Sequence, residues 1–178
     1  DTLNGLVLQS DGKIFACGDS LTTLEQTISF KVARFNANGS LDTSFGAAGT
    51  GVVTNALDES GTASAKACAL DSSGRLVVAG NCSGNMCLAR FTGTGGLDGS
   101  FALGGVATAN FGTPSDRAES VVIIGDNIFA AGQANIVHEF VRDRDFAIAC
   151  FTFGGTLCTQ FGGGDGMVTI DSGNKIDD

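Results

Sequence analysis

The chain has 178 residues, a formal net charge of -9, 27 Gly, one Pro, 13 Phe, six Cys and neither Trp nor Tyr. That length fits one domain able to bury about 70% of its unfolded surface. The acidic balance argues against nucleic acid and anionic membrane surfaces as partners, and no apolar run reaches the ~18 residues of a membrane-spanning helix.

From the N-terminus, Leu6-Val-Leu8 and Ile14-Phe-Ala-Cys-Gly18 flank the turn Ser10-Asp-Gly-Lys13 and predict a β-hairpin. A polar segment at 19–29 leads to a third strand at Phe30–Phe35, and Gly51-Val-Val-Thr54 forms a fourth. The order then recurs. Lys66–Leu70, Leu76–Gly80, Met86–Phe91 and Gly105–Thr108 make a second set, and Ser120–Ile124, Ile128–Gly132, Asp145–Phe151 and Met167–Ile170 a third. No helical period runs through any of it. The predicted fold class is all-β.

The repeat is sharpest at Val32–Gly46, which returns as Leu88–Ala102 and Ile148–Gly162. Self-similarity at a fixed period is the mark of a repeat architecture, and it divides the chain at 1–55, 56–112 and 113–178. Within the template, Arg34 to Phe45, Arg90 to Phe101 and Cys150 to Phe161 always span 11 residues. The segment before it varies in length, which makes 19–29, 81–85 and 133–144 the candidate binding loops, with a glycan or another ligand as their partner.

Arg34 and Asp42, like Arg90 and Asp98, stand eight residues apart, and both pairs are expected to form an ion pair across a turn. The turn needs Gly at 39, 95 and 155 for its positive φ. Leu41 and Phe45 are expected to pack beneath it. In the third repeat both charged positions become Cys150 and Cys158, so a disulfide is expected on the same contact. Closing that loop contributes ~2.6 kcal/mol in the chain-entropy view, against ~0–1 kcal/mol for an exposed ion pair. Cys82 and Cys87 flank a short loop and are expected to form a second bridge. For Cys17 and Cys68, on inner strands of neighbouring repeats, an inter-repeat bridge and free thiols both stay open. Half a zinc site at Cys82 and Cys87 lacks a matching second pair.

An even cysteine count without metal spacing points to an oxidising compartment and hence to a secreted or cell-surface protein. Asn38 and Asn81 head N-glycosylation sequons, although Asn in these contexts is also ordinary turn chemistry. The single His138 has no Gly-x-Ser-x-Gly elbow or second His beside it. The acidic stretches at 142–145, 162–166 and 171–178 lack the alternating register of a calcium loop. No enzyme activity, cofactor or metal is therefore expected, with calcium a weak alternative and a hydrolase, which would need acids clustered around His138, a less favoured one.

Asp11-Gly-Lys-Ile-Phe-Ala-Cys-Gly18, Val32–Gly46 and Gly51-Val-Val-Thr54 together resemble the delta-60 repeat family. The resemblance covers nearly the whole chain and erodes in the third repeat, where both charged positions are Cys and Gln160 stands for Ser. It implies bacterial extracellular β-propellers with one four-stranded blade per repeat and no established catalysis. Three blades are too few for a propeller, which has four to eight. A second chain, further repeats or a filament must then complete it; a β-trefoil, closed within one chain, is the alternative fold. Spacing also predicts joining: Phe45 to Gly74 is 29 residues, and Phe161 to Gly12 of a copy placed after Asp178 is again 29.

Overall fold

In the computed structural model of the chain, the described residues are 1–22, 27–47, 49–55, 57, 62–112, 114–138 and 141–171; the side chains of 22, 137–138 and 141–143 lie outside that description. Within them the backbone forms β1 (Thr2–Leu8), β2 (Ile14–Thr22), β3 (Thr27–Phe35), β4 (Val52–Asn55), β5 (Ser64–Leu70), β6 (Leu76–Cys82), β7 (Asn85–Phe91), β8 (Val106–Ala109), β9 (Arg117–Ile124), β10 (Asn127–His138), β11 (Val141–Thr152) and β12 (Met167–Ile170). They make three antiparallel sheets of four, each a meander in chain order. Every repeat thus forms a sheet of its own. The β-trefoil alternative fails on this point, because its repeats share one barrel.

Sheets meet face to face through their first two strands. β1 and β2 pack on β5, and β5 and β6 pack on β9. The first strand of each sheet is therefore innermost and the four-residue β4, β8 and β12 are outermost, short edges that offer little to a stray strand.

Alternation explains the packing. In β6 every residue from Leu76 to Gly80 is buried, because this middle sheet is covered on both faces. Leu76 and Val78 face the first sheet with Phe15, Cys17, Phe30 and Val32. Val77 and Ala79 face the third sheet with Val121, Ile128 and Ala130. Two cores result, one in each seam.

Each first strand carries a bulge, at Asn4, Lys66 and Glu119, where the register with the second strand slips by one. Opposite it stand Gly18, Gly80 and Gly132. A Cβ there would lie 1.9, 1.8 and 2.1 Å from the carbonyl oxygens of Thr2, Ser64 and Arg117, so only glycine lets the strands approach.

Of the two long segments expected to be loops, 19–22, 27–29, 133–138 and 141–144 are strand, while 23–26 and 139–140 lie outside the described residues. β2 and β3 pair from Asp19↔Phe30 out to Thr22↔Thr27, and β10 and β11 from Gln133↔Phe146 out to His138↔Val141. Between β6 and β7 only Ser83 and Gly84 remain unpaired. Length variation lengthens a hairpin rather than a loop, because a two-strand ribbon satisfies its own backbone groups as it grows.

Candidate functional site at the blade seams

The template forms the same turn three times. Asp42, Asp98 and Cys158 donate their N–H to the carbonyls of Arg34, Arg90 and Cys150 at 2.9, 2.8 and 2.9 Å. Gly39, Gly95 and Gly155 turn it at φ 85°, 92° and 88°. Phe45 and Phe101 are buried beneath, whereas Leu41 is exposed, contrary to expectation, since it pairs with Phe35 on the outer side of the turn.

Both ion pairs form and are buried. Arg34 Nε donates to Asp42 Oδ2 at 2.7 Å and Arg90 Nε to Asp98 Oδ2 at 2.8 Å. Their guanidinium carbons stack 4.9 Å from the Phe45 ring centre and 4.5 Å from that of Phe101. A second cation joins each carboxylate: Lys13 Nζ lies 2.9 Å from Asp42 Oδ2, and Arg75 Nη1 donates to Asp98 Oδ2 at 2.9 Å. Sequence reading missed this member. Its signal was a basic residue just after the turn glycines Gly12 and Gly74. In the third repeat that position is Asn127, whose Oδ1 lies 3.7 Å from Cys158 Sγ. All three charges of the cluster are replaced together.

Hydrogen bonds to the carboxylates set their acidity. Those from Lys13 and then Ser44 hold Asp42 far below the usual carboxylate range. The Ser100 hydroxyl, helped by the Ser100 N–H and by Arg90, lowers Asp98 to about 2. Asp116 differs: burial pushes its carboxyl up, although Phe111 and Asn135 donate their N–H groups to it at 3.0 and 3.1 Å.

The arginines also cross the seams. Arg34 Nη1 donates to the Gly93 carbonyl of the second sheet at 2.8 Å, and Arg90 Nη1 to the Phe153 carbonyl of the third at 2.7 Å. Beside them Gly46 N–H donates to Thr94 O at 2.9 Å and Ala102 N–H to Gly154 O at 2.7 Å. Further in, Asp19 accepts from the Ala65 N–H and lies 3.2 Å from Lys66 Nζ, while the equivalent Asn81 donates to the Asp116 carbonyl.

The six cysteines pair as Cys17–Cys68, Cys82–Cys87 and Cys150–Cys158, with Cα separations of 6.4, 5.7 and 5.4 Å. Cys17–Cys68 joins the first two sheets across their seam, which decides between the two alternatives the sequence left. Of the sequons, Asn38 sits exposed on the template turn with its Oδ1 bound by Ser40, and Asn81 has its amide committed across a seam.

Among the described residues no group of three or more His, Cys, Asp or Glu is arranged to hold a metal, and no helix is long and apolar enough to cross a membrane. His138 ends β10; its side chain is outside the described set, as are residues 172–178 of the acidic tail.

An arc of four-stranded antiparallel meanders, packed face to face with their first strands innermost, is a β-propeller-type repeat architecture, and each sheet is a blade. A family described as "Domain of unknown function (DUF5122) beta-propeller" matches residues 9–45, which run from the first hairpin through the template turn. Comparison with curated proteins finds no match.

Proposed function

We propose that this chain is a non-enzymatic extracellular structural module that works by self-association, building larger assemblies or adhesive surfaces from blades like its own. One observation carries the reading. Phe30 and Met86, equivalent positions in blades 1 and 2, are 1% and 0% exposed inside their seams, while Phe146 at the same position in blade 3 is 69% exposed. Leu3 in blade 1 is likewise 60% exposed where Ala65 and Ala118 are buried. Both outer blades therefore carry seam faces with no blade against them among the described residues, and uncovered apolar faces of this kind mark association surfaces. Three disulfides favour an oxidising compartment, hence a secreted or surface location. The resemblance to delta-60 repeats points the same way.

Sedimentation from nanomolar to high micromolar concentration tests it. Assembly that rises with concentration and is abolished by Phe146→Asp is the expected result. A single species of 17.9 kDa throughout, unaffected by that substitution, sinks the reading.

A further inference from the structure

We infer that the partner of the open blade 3 face is the open blade 1 face of a second copy of this chain, and that two copies close a six-bladed ring through two identical seams. The inference rests on the reading above and adds the partner, the register and the closure.

The two internal seams supply the register. At the inner strands, Cys17 of blade 1 bonds Cys68 of blade 2. The same position pair in the next seam is Ala79 with Val121, both in one core. Its continuation pairs Ala131 of one copy with Leu6 of the other. Both line shallow apolar grooves, Ala131 beside Phe146 and Ile148, and Leu6 beside Leu3 and Ala16. Lys31, where the other blades carry Cys87 and Ala147, already pairs with Asp1 of its own blade at 2.5 Å. Its charge enters the new seam matched.

The template turn carries an independent mark. A Cβ at Gly95 would meet Val53 at 2.8 Å and Phe45 at 3.2 Å in the preceding blade, and one at Gly155 would meet Ala102 at 2.8 Å and Phe101 at 2.9 Å. At Gly39 nothing lies within 4 Å. The first turn is thus shaped like the two that seat against a blade, and its seat is open. In the ring, Phe161 and Gly162 of the other copy fill it, with Gly162 N–H donating to the Asn38 carbonyl as Gly46 does to Thr94. Gln133, equivalent to Asp19 and Asn81, then reaches the main chain at the start of the second copy's β1.

One clasp is missing. Blade 3 has Cys150 where Arg34 and Arg90 reach across, so the new seam lacks the guanidinium bond of the internal ones and is the weakest of the set. That suits a contact between chains. A head-to-tail interface gives a ring or a filament, and two sets of the three described blades in one ring fall within the four to eight that propellers hold.

The test is the double variant Leu6→Cys/Ala131→Cys, oxidised and run without reductant. By repeat equivalence its new pair reproduces the Cys17–Cys68 geometry. The expected product is a covalent species of two copies, with neither single variant cross-linking. Gly39→Asn, which tolerates positive φ and meets nothing within its own chain, is the second arm; it is expected to keep the wild-type circular dichroism and lose the dimer. A ladder of higher oligomers overturns the ring and leaves the assembly reading standing. A sedimenting dimer that neither cross-links nor responds to Gly39→Asn overturns this seam alone. A wild-type monomer at every concentration overturns both.

Discussion

Arg90 shows how much one side chain holds. Its Nε binds Asp98, its Nη2 binds the Ser100 hydroxyl at 3.3 Å, its Nη1 crosses to Phe153 O, and its plane lies over Phe101 with its side chain 2% exposed. Replacing it by Leu keeps the volume but strands a buried carbonyl and takes one of two cations from Asp98. Breaking such a pair costs about 3 kcal/mol. Urea denaturation of Arg90→Leu checks the value, and a loss under about 1 kcal/mol would show that Arg75 alone suffices. The pairing itself was legible, because Arg and Asp recur eight residues apart and are exchanged for cysteine together. The seam-crossing bond was not, since a carbonyl of the next repeat carries no side-chain signature. Arg75 was missed for a related reason: its partner Asp98 is 23 residues away, on a turn that only folding brings near.

At the scale of the strand pair, the bulge-facing glycines and the disulfides decide cooperativity. Gly80→Ala pushes a Cβ into the Ser64 carbonyl and is expected to cost about 3 kcal/mol or more. Gly99→Ala, with nothing within 4 Å, is expected to be neutral or to stabilise by about 0.5 kcal/mol. Equal effects in denaturant would refute the close-approach account. Cys17–Cys68 closes 51 residues of sequence separation and Cys82–Cys87 only 5. Chain entropy gives about 4 kcal/mol against about 2 kcal/mol. The paired variants Cys17→Ala/Cys68→Ala and Cys82→Ala/Cys87→Ala are expected to destabilise in that order, read by urea midpoints. Strand positions were readable from apolar runs around Asp-Gly turns. The hairpin extensions were less so: Thr27-Ile-Ser29 continues the alternation of Phe30-Lys-Val32 but has the Thr and Ser content of a loop, and the ribbon beyond Gln133 runs into the charged, non-alternating Arg142-Asp-Arg-Asp145.

For the whole molecule, the carboxylate clusters sit in blades 1 and 2 and the bridge of Cys150 and Cys158 in blade 3, so acid acts unevenly along the arc. Asp98 is depressed from 3.8 to about 2 in the folded state. A depressed carboxyl contributes stability that is complete above its unfolded value and is lost as the pH falls through the folded one. Asp42 has the same sign and sits lower still. Asp116 has the opposite sign: raised by burial, it favours the folded state most below 3.8, and that share is lost as the pH rises. The two depressed groups outweigh the one raised group, so the melting temperature is expected to fall from pH 4 toward pH 2. Amide hydrogen exchange should then rise first at the template turns of blades 1 and 2, while the turn closed by Cys150–Cys158 keeps its protection. The sign is fixed by Asp98→Asn, which removes the titrating group and should flatten that fall while lowering stability at pH 7. A steeper fall in the variant would overturn the assignment. Because Arg90 carries a bond across the seam between blades 2 and 3, which no disulfide spans, loosening Asp98 also loosens that seam, and acid is expected to open it before it unravels blade 3, while Cys17–Cys68 keeps blades 1 and 2 tethered.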